Sequence, residues 1–160
     1  MKKILTILII MLISGPLSAT DRRECDYHDS PGCLNLTINN IGVSFGNSRV
    51  THGLRINLRD ECVKRVDGVN MTLWKPGRNP DAVFRGLSLG LYGPWADEIH
   101  FLALGGVHVN ANSALNGISI AGLANVSGGV MNGIFLTAGA NLSRDDFSGI
   151  SFGGLANVCD

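Results

Sequence analysis

Asp97, Glu98 and His100 cluster in the sequence, and His108 follows eight positions after His100. A carboxylate pair beside an imidazole can move a proton or hold a metal ion. These carboxylates, however, fill the turn slot ahead of an alternating segment, where charged residues are ordinarily solvated. The expectation is therefore a hydrated turn and no catalytic or metal-binding site. Cys25, His28 and Cys33 pose the same question. Seven residues separate the two thiols, against a usual spacing of about two to four in zinc sites, and no second Cys/His pair lies nearby. Asp145-Asp146 supplies two carboxylates, short of the roughly six to eight oxygens that calcium takes. Gly105-Gly106 and Gly128-Gly129 lead into no helix and so are not phosphate loops. No Gly-x-Ser-x-Gly segment offers a nucleophile. No catalytic residue, cofactor or metal is expected.

Whole-chain quantities narrow the classes further. There are 13 basic and 13 acidic residues in 160, so no electrostatic case exists for nucleic acid. The first nineteen residues read as an export leader. Lys2 and Lys3 precede the apolar stretch Ile4 to Ile13, Gly15-Pro16 breaks it, and Leu17-Ser18-Ala19 offers small residues for cleavage. The stretch falls short of the roughly twenty residues a membrane-spanning helix needs, which disfavours an uncleaved anchor. The expected location is periplasm, outer membrane or cell surface. In that setting Cys25, Cys33, Cys62 and Cys159 favour disulfides. A small ring Cys25–Cys33 is preferred, with Cys62 and Cys159 paired across the domain or free.

What positions these residues is a repeat. Asn116-Gly-Ile-Ser-Ile-Ala-Gly-Leu-Ala-Asn-Val returns sixteen residues later from Asn132 and again from Ser148. A fixed period marks one small unit stacked beside its neighbours, because no single copy buries its own apolar face. Fainter copies start at Gly42, Gly53, Gly68, Gly86 and Phe101, with a long excursion from Lys75 to Val83. Within copies the period is two, the mark of a β-strand. Aligned copies give columns: Leu102, Ile118, Ile134 and Ile150; Leu104, Ile120, Leu136 and Phe152; Ile99, Leu115, Met131 and Phe147; and Asn125, Asn141 and Asn157.

These features predict an all-β chain: a β-solenoid-like stack of about sixteen-residue repeats following the signal helix. Residues 1–19 form the leader, 20–34 a polar cysteine-bearing segment and 35–160 the repeat domain. The aliphatic columns, Ile118, Ile134 and Ile150 among them, are expected to fill the interior, and the Asn amides to bond from coil to coil. The rival is an up-and-down barrel or meander of about eight strands, as in a small outer-membrane protein. Missing aromatic girdles and equal offsets along successive copies disfavour it. Asn-x-Ser/Thr at Asn35, Asn70, Asn125 and Asn141 follows from the repeat grammar without invoking glycans.

The units Asn116-Gly-Ile-Ser-Ile-Ala-Gly-Leu-Ala-Asn and Arg85-Gly-Leu-Ser-Leu-Gly-Leu resemble the Gly-aliphatic-x-aliphatic-Gly-Leu-x-Asn repeats of bacterial surface repeat proteins. The resemblance spans Gly53 to Val158. It implies an envelope or surface location and brings no catalytic residues with it. The functional expectation is a non-enzymatic exported repeat protein, an envelope structural or surface-interaction module whose flat faces make the contacts. A small outer-membrane barrel and a secreted host-interaction factor are the alternatives. Partners would be a protein or envelope component, with outer-membrane association and self-association through an open C-terminal edge also expected.

Overall fold

The computed structural model describes residues 33–77 and 79–159, and all its regular structure is β. Twelve strands follow in order: β1 (Cys33–Ile38), β2 (Ile41–Gly46), β3 (Val50–Asn57), β4 (Arg65–Thr72), β5 (Val83–Gly90), β6 (Trp95–Gly105), β7 (His108–Ala121), β8 (Ala124–Ser127), β9 (Val130–Thr137), β10 (Ala140–Ser143), β11 (Phe147–Gly153) and β12 (Ala156–Cys159). The leader expected at residues 1–19, Cys25 and His28 lie outside the described residues.

The chain coils into a β-solenoid. β2, β3, β4, β5, β6, β7, β9 and β11 stack in parallel, each one rung. Gly42, Gly53, Gly68, Gly86, Phe101, Gly117, Gly133 and Gly149 pair in turn, so the residues that open each sequence copy form one column. A second wall is built from the start of β7 and from β8, β10 and β12, also parallel and in register. Parallel pairing throughout the stack excludes the up-and-down barrel. Only β1, paired with β2, runs antiparallel among the described strands. The loop from Lys75 to Val83 carries Asn79, which is buried and ties coils together. Asn79 accepts from Val63 N at 3.0 Å and donates to Trp95 O at 3.2 Å.

The core centres on one column and part of a second, with Val63, Ala82, Ala96, Val109, Ala111 and Ala121 added from elsewhere on the coils. Val66, Phe84, Ile99, Leu115 and Met131 lie over one another, all buried, with Phe147 packed against them. The interior column after the glycines reads Ser44, Arg55, Asn70, Ser88, Ala103, Ser119, Phe135 and Ser151. The expected interior placement of Ile118, Ile134 and Ile150 is therefore wrong: they point outward, with Ile134 39% exposed. Leu115 and Ile118 are three positions apart and so must take opposite faces of a strand. Both sets being apolar, hydrophobicity alone does not choose between them. A contact across the coil does: Ser119 Oγ donates to Asn125 Oδ1 across the interior at 2.7 Å, which turns Ser119 inward and so Ile118 outward.

Close stacking also explains the glycine column. At Gly133, φ is 134° and an added Cβ would lie 1.9 Å from Gly117 O. Phe101 is the one non-glycine in this column, with φ of 95° and a side chain 73% exposed. A bulky residue in that conformation carries strain and here gains little burial.

Two predictions follow from this packing. Phe135→Asp places an unpaired carboxylate in the interior and should cost several kcal/mol, whereas Ile134→Asp should stay within about 1 kcal/mol. Chemical denaturation of the two variants checks the assignment of faces, which fails if their order is reversed. Phe101→Gly should raise stability by about 1 kcal/mol by relieving strain, while Gly133→Ala should lower it by more than that. Thermal melting reads both.

Candidate functional site

Turning the aliphatic columns outward creates the most extensive chemical feature of the described surface. One column runs Val43, Leu54, Val69, Leu87, Leu102, Ile118, Ile134, Ile150, and its neighbour runs Phe45, Ile56, Met71, Leu89, Leu104, Ile120, Leu136, Phe152. Ile118, Ile120, Ile134, Ile150 and Phe152 are exposed, as are Leu34, Leu36 and Ile38 on β1 at one end. A contiguous apolar face of this extent is unusual on a protein surface. Its geometry is flat and regular, with rungs about 4.8 Å apart.

One side of this face is lined by a polar column. His52, Asp67, Arg85, His100, Asn116 and Asn132 succeed one another in register. Asn132 donates to Asn116 Oδ1 at 3.1 Å, and Asn116 donates to His100 Nδ1 at 3.2 Å. That leaves Nε2 of His100 as the donor to Glu98 Oε2, 3.0 Å away. Asp67 Oδ2 accepts from Arg65 Nε at 2.7 Å and lies 2.9 Å from His52 Nδ1.

Asp97, Glu98 and His100 thus belong to surface hydrogen bonding, with Asp97 accepting from Ser113 Oγ at 2.6 Å. His108 stands apart from them. Its ring meets Tyr92 edge-on at 4.8 Å, and burial, with Lys75 adding to it, lowers its pKa from the ordinary histidine value. Asp145 and Asp146 are exposed in the turn before β11. Gly105-Gly106 and Gly128-Gly129 form coil corners. Among the described residues, no three His, Cys, Asp or Glu side chains come together as a metal site. The recess at the end of the last coil, lined by Met131, Asn141, Phe147, Ser151 and Asn157, measures about 200 Å³.

Cys33 and Cys159 are free and exposed, so the Cys25–Cys33 ring preferred from sequence is not formed, and of the two alternatives left for Cys159 it takes the free one. Cys62 is not a free thiol. It sits between β3 and β4, while Cys159 ends β12 some six rungs on. That is roughly 29 Å at 4.8 Å per rung, against a Cα separation of about 7 Å that a disulfide tolerates.

Inside the stack are two polar structures. Asn125 donates to Asn141 Oδ1 and Asn141 to Asn157 Oδ1, both at 2.8 Å, an amide ladder from coil to coil. The second is an ion pair. Arg55 and Asp60 are both fully buried and paired. Arg55 also donates to Asn70 Oδ1 at 2.8 Å and to Asn47 Oδ1 at 2.9 Å. Asp60 accepts in addition from Thr72 and, at 3.2 Å each, from Asn57 and Asn70. The available signal was positional: Arg55 and Asn70 share the column that later holds Ser88 and Ser119.

Compared with known proteins, the chain matches no family model, no curated sequence and no solved structure.

Removing one half of the buried pair leaves the other charge uncompensated. Asp60→Asn should therefore cost about 3–5 kcal/mol, read by urea denaturation. A loss below about 1 kcal/mol would show that water reaches Arg55.

Proposed function

We propose that this chain is a non-enzymatic exported repeat protein, an envelope structural or surface-interaction module whose outward aliphatic face makes its contacts. The observation that carries this reading is the placement of the two in-register aliphatic columns on the outside of the solenoid while serines and asparagines occupy much of the inside. Folding alone rewards the reverse arrangement, since each outward Ile or Leu forgoes part of its burial. A contact made through that face would recover it. The leader-like residues 1–19 and the likeness of the repeats to those of bacterial surface repeat proteins support export to the envelope. The rigid, repetitive scaffold suits a surface that binds along its length rather than a pocket that turns over a substrate.

Fractionation of the native protein tests this. The chain should be recovered from the envelope or periplasm with residues 1–19 removed. Ile118→Asp/Ile134→Asp, which leaves the interior untouched, should keep the wild-type circular dichroism spectrum yet be lost from its envelope partner. Recovery of unprocessed chain from the cytosol, or an unaltered distribution of the double variant, would overturn the proposal.

A further inference from the structure

The outer face carries a pattern that points to its occupant. Number the stacked strands from β2 as rung one to β11 as rung eight. At the end of each strand, beyond the two aliphatic columns, a third column turns the corner. It holds Leu58, Leu73 and Leu91 on rungs two to four, all exposed. On rungs five to seven the same column holds Gly106, Gly122 and Ala138. Large residues occupy one half of the stack and small ones the other.

We propose that a second copy of this chain packs on this face, about a two-fold axis that runs along the strands between rungs four and five. This rests on the reading of the face as the contact surface. Rotation about that axis sets rung two against seven, three against six and four against five. Leu58 then meets Ala138 of the other copy, Leu73 meets Gly122 and Leu91 meets Gly106. Every bulky corner residue faces a gap. Leu87 and Leu89 on rung four and Leu102 and Leu104 on rung five lie nearest the axis, and Phe45 on the first rung meets Phe152 on the last. Such an isologous contact needs one self-complementary surface and no second partner.

The polar edge agrees with this axis. It sets Asp67 against Asn116 and His52 against Asn132, so neither meets a side chain of its own kind. Only Arg85 and His100 bring two basic side chains together, and His100 is already bonded to Glu98. The other face-to-face two-fold, along the solenoid axis, would place this polar column against the leucine corner. Area also fits. Eight rungs span about 35 Å and four outward positions about 20 Å, which gives roughly 1,400 Å² over two copies, within the range of about 1,200–2,000 Å² typical of stable pairs. Net charge does not oppose association: it is zero for the full chain, and losing Lys2 and Lys3 with the leader changes 13 − 13 to 11 − 13, or −2. That near-neutrality also gives no electrostatic attraction to an anionic lipid surface.

Sedimentation and light scattering on the purified chain, with Cys33 and Cys159 alkylated, test the pairing. The expected mass is twice that of the protomer. Ala138→Phe fills the gap opposite Leu58 and should yield protomers with an unchanged circular dichroism spectrum. Adding Leu58→Ala to that variant should restore the pair. If Ala138→Phe fails to fold, Leu58→Trp serves instead, with the same expected dissociation. A wild-type chain that stays a single protomer at about 100 µM, or a pair indifferent to Ala138→Phe or to Leu58→Trp, would overturn the proposal. Should the wild type be single while Ile118→Asp/Ile134→Asp still abolishes envelope recovery, self-pairing falls and the interaction-module reading survives. A stable pair recovered from the cytosol would sink that reading and leave the pairing intact.

Discussion

Everything in this molecule depends on rungs lying directly over one another at the spacing of parallel β-strands. Backbone bonds between successive coils satisfy each inner strand on both sides, which allows a narrow interior to persist without a large apolar centre. The spacing leaves no room for a Cβ at the glycines of that column, where the next carbonyl oxygen stands about 2 Å from where that atom would be. Sequence periodicity is the trace of this constraint. A residue that suits one rung suits the next because its surroundings recur, and that recurrence makes columns.

The architecture was legible in the residues because period, strand alternation and glycine position all report backbone stacking. Gly117, Gly133 and Gly149 mark rung starts in the sequence, and the same residues pair in space. The inside and outside of the strand were not legible in the same way. Ile118 and Leu115 are equally apolar, so the alternation defines two faces without ranking them. What ranks them is a contact across the coil, the Ser119–Asn125 hydrogen bond between elements separated by a corner, which turns Ser119 inward and so Ile118 outward. The buried Arg55–Asp60 pair was hidden for a related reason: Arg55 alternates with Leu54 and Ile56 as a solvated residue does, and its acid lies in a loop. The cysteines misled because an even count carries no distances.

The surface is consequently more informative than the interior. A solenoid with leucine and isoleucine outside and serine and asparagine inside resembles half of a larger β-structure whose other sheet is missing. The amide ladder Asn125–Asn141–Asn157 and the core column through Leu115 hold the coil together without those residues. The residues that hold the coil together and the outward aliphatic columns thereby lie on opposite faces of the same strands, so the outer face is free to change without unfolding the coil.

A stack of near-identical layers faces an ambiguity that ordinary domains escape: during folding, one layer can settle against the wrong neighbour and still find a familiar pattern. The Arg55–Asp60 pair removes that degeneracy at one end. A slip by one layer there would strip the buried pair of its bonds to Asn47, Asn70 and Thr72 of the neighbouring coils, so the early coils possess a unique address that the glycine and aliphatic columns do not supply. The later, more uniform coils can count their positions from it.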